Sequence, residues 1–158
     1  MEQVFYTGQK RTHTAYENES AGLDLVCKSI KDVRHVGGKM WHVLFNTETK
    51  VKIPKDWVGL SAPRSSALRG ADSLVVLGII DVGYDGNIVV SALYFSRFDH
   101  FEKETEVESD LYDDVIGKSI AQLVVVRNNN NFAHVSAEEF EQLTEDSKRG
   151  ENGFGSTD

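Results

Sequence analysis

The feature that most constrains this chain is a series of short apolar runs, each rich in β-branched or aromatic residues and each bounded by Gly, Pro, Asp or Asn. The runs are HVLF (42–45), VKI (51–53), WVGL (57–60), LVVLGII (74–80), NIVVSALYF (87–95) and IAQLVVV (120–126). Such runs are typical of the strands of a sandwich, barrel or jelly roll. The Asp-Gly pair within GYDGNI (83–88) predicts a tight hairpin. The sequence therefore predicts a mainly β protein.

Only one segment has the signature of a helix. Ser136 can cap its N-terminus, and Glu139 three residues later completes a capping box. We therefore expect one short helix on a β domain. The densely acidic segment 99–114 is interpreted as an exposed connection, with a binding surface as the alternative.

Length and composition limit the classes of protein to which this chain can belong. A chain of 158 residues is long enough for one domain with a real core. No stretch approaches the roughly 18 apolar residues of a membrane span. Because Cys27 is the single cysteine, we expect an intracellular, soluble protein without disulfides. The net charge of −8 argues against binding to nucleic-acid backbone. None of the histidines is spaced as a metal pair, and Cys27 has no evident base partner.

Two stretches could bind a phosphate-bearing ligand. AGLDL (21–25) places the carboxylate of Asp24 in an apolar run, either as a strand-edge residue or as a partner for the waters of a hard cation. PRSSALRG (63–70) follows a strand and combines an arginine, two hydroxyls and a glycine. Such a segment is either an ordinary turn or a phosphate site, since an arginine fork and successive N–H groups can bind phosphate oxygens.

Two further stretches place polar groups at strands. In GIIDVGYDG (78–86), Asp81 could orient a water and Tyr84 could pack on a sugar, or both could be ordinary strand-end residues. Gln122 lies within an apolar strand, so its amide is either a structural hydrogen-bond bridge or a ligand contact. The last ten residues, RGENGFGSTD (149–158), have the composition of a frayed end.

Taken in order, five stretches resemble the motifs of the trimeric deoxyuridine triphosphate nucleotidohydrolases, the dUTPases. They read AGLDL (21–25), PRSSALRG (63–70), GIIDVGYDG (78–86), GKSIAQL (117–123) and RGENGFGST (149–157). The resemblance implies an all-β, jelly-roll-like distorted barrel over residues 1–148, followed by a mobile C-terminal flap, 149–158, that closes over the nucleotide. It also implies a homotrimer with shared active sites.

The implied activity is that of a dUTP diphosphatase, a hydrolase of nucleotide metabolism. With Mg²⁺ as cofactor, a water would attack the α-phosphate of dUTP in line and release dUMP and pyrophosphate. This reaction lowers dUTP and supplies dUMP. The expected partners are the substrate and other copies of the chain, with neither nucleic acid nor membrane.

The resemblance also assigns roles residue by residue. Asp81 would hold the attacking water, and Tyr84 would lie against the deoxyribose and exclude a 2′-hydroxyl. Arg64 and Gln122 would act at the phosphate chain, and Asp24 would hold a water of the Mg²⁺ shell. The remaining substrate-binding positions, which would contact the base or the phosphates, are Ser65, Ser66, Gly78, Ile80, Arg149, Phe154, Gly155, Ser156 and Thr157.

Two departures from the family pattern lie in or beside the third and fourth motifs. The fourth motif usually reads Gly-Asp-Arg-Ile-Ala-Gln-Leu, and here Lys118 and Ser119 replace the Asp-Arg pair. Apolar residues stand before the third motif, where the family often has an asparagine. Two alternatives are a non-catalytic binding or regulatory protein of the same fold and a relative of dCTP deaminase. The deaminase requires a catalytic glutamate where this chain has Ser91.

Overall fold

The computed structural model describes residues 3–8, 22–64, 73–96, 104–129 and 132–144. Within them, antiparallel strands form two four-stranded sheets and a two-stranded ribbon. The first sheet has the order β2 (Leu23–Val26), β10 (Ser119–Arg127), β6 (Trp57–Pro63) and β8 (Gly78–Ile80). The second sheet has the order β3 (Ser29–Gly37), β4 (Met40–Asn46), β9 (Val89–Phe95) and β7 (Ser73–Val75). Strands β1 (Phe5–Tyr6) and β5 (Val51–Lys52) form the ribbon.

The two sheets share one hydrophobic core. Burial alternates along β4 and β9, as expected for strands with one face turned inward. The second sheet contributes Phe45 and Val90 to the core, and the first sheet contributes Leu25, Ile80 and Leu123. The mainly β class predicted from the apolar runs is confirmed, with the described strands arranged as two sheets around a common core.

The expectation of a single helix is wrong. Besides α2 (Ala137–Thr144), a longer helix, α1 (Glu104–Val115), lies in the acidic segment that was interpreted as an exposed connection. Val107, Leu111 and Val115 recur every four residues and are fully buried in the core. This spacing places them on one face of a helix. The many acidic residues between them obscure the apolar stripe in the sequence.

The hairpin expected at residues 83–88 is also wrong. Strand β8 pairs with β6 in the first sheet, whereas β9 pairs with β4 and β7 in the second. The segment between them therefore crosses from one sheet to the other. The run 74–80 is likewise divided between β7 and β8, with the exposed Val76 and Leu77 between them. A periodicity argument cannot distinguish one continuous strand from two short strands in different sheets.

Helix α2 begins as the sequence predicts. The Glu139 N–H donates to Ser136 Oγ at 3.2 Å, and the Ser136 N–H donates to Glu139 Oε2 at 2.8 Å. The hydrogen bond from the Ser136 backbone N–H to the carboxylate is the main cause of a lowered pKa of Glu139, and a side-chain hydrogen bond of Ser136 is the second. The capping box is confirmed. In the described parts of the chain, no helix is both long and apolar enough to span a bilayer.

Candidate active site

Three neighbouring strands of the first sheet bring together residues from three separate stretches of the sequence. Asp24 on β2 lies directly opposite Gln122 on β10, and Gln122 lies opposite Ala62 on β6. Arg64 follows the last residue of β6 at the same end of the sheet. Residues 21–25, 63–70 and 117–123 thus meet through strand pairing.

Arg64 is held by two groups at this end of the sheet. Its Nε lies 3.2 Å from Asp24 Oδ1, and its Nη1 donates to the Ser119 carbonyl at 3.0 Å. The Ser119 hydroxyl donates to Asp24 Oδ2 at 3.3 Å. Both carboxylate oxygens of Asp24 are therefore engaged. We call Asp24, Arg64, Ser119 and Gln122 the arginine cluster.

The ion pair in the arginine cluster is only partly shielded from solvent. The side chains of Arg64 and Asp24 are 32% and 35% exposed. Such a pair contributes roughly 1 kcal/mol or less to stability. Its main effect is to fix the direction of the guanidinium while part of it remains accessible to an anion.

Gln122 acts as a bridge between strands. Its Nε2 donates to the Pro63 carbonyl at 3.0 Å, which ties β10 to the end of β6. Gly22 lies against the same side chain, because an added Cβ there would come within 3.0 Å of Gln122 Oε1 and 3.1 Å of the Leu123 carbonyl. Of the two roles considered for the amide, the structural bridge is observed. Glycine at position 22 allows the close approach.

In the sequence, Ser119 is notable only as a departure from the family pattern. In the structure it contacts both members of the ion pair, through its hydroxyl and its carbonyl. A serine hydroxyl is uncharged, so Ser119 provides no second cation at this place. The one indication of this role in the sequence is that Ser119 lies close to Gln122, three residues before it. The contact of Ser119 with Asp24 depends on the pairing of β2 with β10.

A second group of candidate residues follows β8. Asp81 comes directly after Ile80, and a turn is closed by the Tyr84 N–H, which donates to the Asp81 carbonyl at 3.2 Å. The Tyr84 hydroxyl donates to the Asn87 carbonyl at 2.8 Å. An added Cβ at Gly86 would lie 2.6 Å from the Tyr84 hydroxyl, so glycine there leaves room for the phenol. Both Asp81 and Tyr84 are exposed to solvent.

A cavity of about 440 Å³ lies beside this turn. It is lined by Ser61, Gly78, Ile79, Ile80, Asp81, Tyr84, Ile88 and Val89, and we call it the loop pocket. Mostly apolar walls with a few polar groups are typical of small-molecule sites. The loop pocket is therefore a candidate site for a small molecule, with the carboxylate of Asp81 in its lining.

Ser61, which lies outside the five motif stretches, also lines the loop pocket. It is 2% exposed, and its Oγ has no hydrogen-bond partner among the described residues. A buried hydroxyl left unpaired costs about 1–3 kcal/mol, so such atoms call for an explanation. A serine between leucine and alanine in a strand gives no functional signal by itself.

Within the first sheet, Asp81 of the loop pocket lies far from Arg64 of the arginine cluster. Strands β6 and β8 are antiparallel, with Ser61 opposite Gly78 and Gly59 opposite Ile80. Continuing this register places Asp81 beside Val58, six residues of strand before Arg64. At about 3.3 Å per residue, roughly 20 Å separates them along the strand. One chain does not bring the two groups together.

Several expected site residues lie outside the described residues. They are Ser65, Ser66, Arg149, Phe154, Gly155, Ser156 and Thr157. The expected flap, 149–158, also falls there, so its predicted closure over the nucleotide stays a prediction. Gly78, Ile80, Asp81 and Tyr84 are together in the loop pocket.

Cys27 and the histidines have other roles. Cys27 is fully buried, and this burial raises the pKa of its thiol to about 11. A thiol with so high a pKa is a poor nucleophile at neutral pH. His42 Nε2 lies 2.8 Å from the hydroxyl of Ser91. Within the described ranges, no three His, Cys, Asp or Glu side chains are grouped to hold a metal ion.

The chain matches known proteins by sequence and by structure. The family model for dUTPase matches residues 10–107. The deoxyuridine 5'-triphosphate nucleotidohydrolase of Clostridium tetani is 34% identical over 145 residues, which cover 90% of this chain and 85% of that protein.

Solved structures of phage enzymes have the same fold. A variant of the dUTPase of phage 80alpha is 21% identical, with a TM-score of 0.66 and coverage of 98% of each chain. A dUTPase variant from phage phi11 of S. aureus, described with a structural Mg(II) ion, is 17% identical with a TM-score of 0.60. That likeness covers 86% of this chain and 97% of the phi11 chain.

Proposed function

Because this chain belongs to the dUTPase family, we propose that it hydrolyses dUTP to dUMP and pyrophosphate. The observation that carries the proposal is the presence of two complementary half-sites on the first sheet. The loop pocket offers apolar walls and the carboxylate of Asp81, and the arginine cluster offers an oriented guanidinium. A nucleoside triphosphate presents the matching parts, a ring at one end and a charged chain at the other.

At the loop pocket, Asp81 orients the attacking water and accepts its proton. The Asp81 carboxylate is exposed and lines the loop pocket, so a water can reach it from the pocket. Strand β8, which ends directly before Asp81, fixes its backbone. The backbone of β8 around Gly78 and Ile80 contacts the uracil. A positioned base of this kind contributes typically about 10²–10⁴-fold to a hydrolysis rate.

Tyr84 selects the sugar. Its ring is fixed by the hydrogen bond from its hydroxyl to the Asn87 carbonyl and by the absence of a side chain at Gly86. A ring held in this way against the 2′ carbon leaves no room for a 2′-hydroxyl. The enzyme therefore prefers the deoxyribonucleotide to UTP.

At the arginine cluster, Arg64 binds phosphate oxygens. The described contacts use its Nε and Nη1, and Asp24 and Ser119 hold the guanidinium plane in place. Gln122 braces the end of β6 on which Arg64 lies and contacts the phosphate chain. Positioning and charge neutralisation are the main requirements of phosphoryl chemistry.

The residues present fit an Mg²⁺ ion that arrives with the triphosphate, and they do not form a protein cage. Asp24 is a single carboxylate already shared with Arg64 and Ser119, which suits contact through one water of the ion. Mg²⁺ keeps several waters and usually binds one or two carboxylates together with substrate phosphates. When bound, the ion neutralises charge on the phosphates. The phi11 relative, described with a structural Mg(II) ion, shows only that a protein of this fold binds this metal.

The complete site requires more than one copy of the chain, and we propose a homotrimer. The first support is the separation of the arginine cluster from the loop pocket. The second is the outer face of the first sheet, where Leu60 lies between Val124 and Ile79. Ile79 is 69% exposed and neighbouring Leu77 is 58% exposed. Contiguous exposed apolar surface of this kind marks association sites.

The division into a domain at residues 1–148 and a flap at 149–158 belongs to the same proposal. Arg149 would bind the γ-phosphate and Phe154 would stack on uracil, while Gly155, Ser156 and Thr157 donate to the phosphates. Ser65 and Ser66 would bind phosphate oxygens beside Arg64. The family resemblance of motifs 63–70 and 149–157 supports these roles.

A nucleotide panel with product analysis tests the proposal. The protein is incubated with Mg²⁺ and dUTP, dCTP, dTTP or UTP, and pyrophosphate and monophosphate are measured. We expect pyrophosphate and dUMP from dUTP alone. Release of ammonia from dCTP, or equal turnover of all four nucleotides, would contradict it. The hydrogen bond of Ser91 with His42, at the position where a deaminase requires a glutamate, speaks against the first of these outcomes.

A further inference from the structure

We propose that Ser61 is a base-binding residue, whose buried hydroxyl hydrogen-bonds the polar edge of the pyrimidine in the loop pocket. The inference deepens the proposed function and rests on it. Ser61 lies outside the five motif stretches, on the core-facing side of β6. It adds a side-chain contact to a subsite that is otherwise formed by backbone.

The first argument is the state of the hydroxyl. Ser61 Oγ is the buried side-chain oxygen that has no partner among the described residues. Its neighbours in the wall, Ile80 and Ile88, are apolar and cannot satisfy it. For a buried hydroxyl of this kind, a hydrogen bond to the polar edge of a ligand contributes more to the binding free energy than it would for an exposed hydroxyl. The reason is that binding displaces no water from the buried group.

The second argument is the position of Ser61 along the pocket. It lies opposite Gly78, whereas Asp81 lies three residues further along β8. With the α-phosphate at Asp81, a base that occupies the rest of the loop pocket would lie toward Gly78 and Ser61. An added Cβ at Gly78 would lie 3.5 Å from Ser61 Cβ, so the glycine leaves the wall beside Ser61 open.

The other polar side chains that line the loop pocket already have a partner or a role. Only Ser61, Asp81 and Tyr84 carry polar side chains among the residues that line the loop pocket. The Tyr84 hydroxyl is engaged by the Asn87 carbonyl. Asp81 is assigned to the water. The stretch before the third motif, LVVL (74–77), has no polar side chain to offer. Ser61 is therefore the side chain left to meet the base.

The experiment measures binding of a non-hydrolysable dUTP analogue to Ser61→Ala and to the parent protein. Loss of one hydrogen bond lowers affinity by about 3- to 10-fold. Inorganic triphosphate, which lacks the base, is the second probe, and its affinity should not change. Removal of an unpaired buried hydroxyl should leave the melting temperature unchanged or raise it.

Ser73→Ala is the matched control. Ser73 is also buried in a strand, but it does not line the loop pocket, and its polar groups have a partner. We expect this variant to bind the analogue like the parent. If Ser61→Ala does not fold, Ser61→Cys serves instead, because a thiol is a near-isosteric and weaker donor that should give a smaller loss.

Three results would overturn the inference. The first is unchanged affinity of folded Ser61→Ala for the analogue. The second is an equal loss for the analogue and for inorganic triphosphate, which indicates general damage. The third is a lower melting temperature with unchanged affinity, as expected if a buried water satisfies the hydroxyl. Failure of the parent protein to hydrolyse dUTP would refute the proposed function itself.

Discussion

The arginine cluster and the loop pocket differ in how far their polar groups are satisfied. In the arginine cluster, Asp24, Arg64 and Ser119 hydrogen-bond one another, and Gln122 braces the strand beside them. In the loop pocket, Asp81 is exposed and Ser61 Oγ is buried without a partner among the described residues. The arginine cluster is organised before a ligand arrives, whereas the loop pocket contains polar groups that a ligand can engage.

This difference matches the chemistry proposed for the two half-sites. A guanidinium that must meet a flexible triphosphate is most effective when its direction is fixed in advance. A carboxylate that must hold a water needs access to solvent. Because roughly 20 Å of strand separates Asp81 from Arg64, the proposed homotrimer would have to bring the two halves together between copies of the chain.

The largest effect is expected at the loop pocket. Asp81→Asn keeps the shape of the side chain but removes the charge that orients the water, so kcat should fall by about 10²–10⁴-fold. Affinity for a non-hydrolysable dUTP analogue should be largely kept. Steady-state kinetics and a binding titration check both statements. A kcat within a few-fold of the parent value would make Asp81 a structural residue.

A smaller effect is expected at the arginine cluster. Arg64→Ala removes a charged donor to phosphate, and hydrogen bonds to charged groups are worth about 1.5–3 kcal/mol, or roughly 10- to 100-fold in kcat/KM. Arg34→Ala is the matched control, since Arg34 also forms an ion pair, with Asp32 at 2.7 Å, but is 74% exposed on β3. Equal activity of the two variants would remove Arg64 from the site.

The smallest effect concerns the choice of sugar. Tyr84→Ala should raise kcat/KM for UTP relative to dUTP, because the ring that excludes the 2′-hydroxyl is gone. Tyr84→Phe keeps the ring and loses only the hydrogen bond to Asn87, so its discrimination should change by only about a few-fold. Competition assays with both nucleotides measure the ratio. If Tyr84→Ala discriminates as the parent does, the ring does not contact the sugar.

Structural elements that depend only on a short stretch of sequence could be predicted. The apolar runs identify most of the strands, and Ser136 and Glu139 identify the start of α2. Helix α1 is not predicted, because the acidic residues between Val107, Leu111 and Val115 hide the apolar stripe that these three form. Its apolar positions are spaced four apart, so a helical-period count within the charged segment would have found them.

The parts that depend on pairing could not be predicted from local pattern. Gly-Tyr-Asp-Gly favours a hairpin, but the packing of two sheets sends β8 and β9 to different partners. The contact of Ser119 with Asp24 follows from the register of β2 with β10, which no short stretch encodes. The same holds for Ser61, which becomes notable only when its surroundings in the core are known.

The shared site is tested most directly by mixing two impaired variants, Asp81→Asn and Arg64→Ala, under conditions of verified subunit exchange, with kcat/KM for dUTP as the readout. If each site takes the loop pocket from one copy and the arginine cluster from another, random mixing in equal amounts leaves both halves intact in about a quarter of the sites. The account predicts recovery of about a quarter of the parent activity per chain. If the mixture stays as impaired as its components, both halves come from the same chain and the account is contradicted.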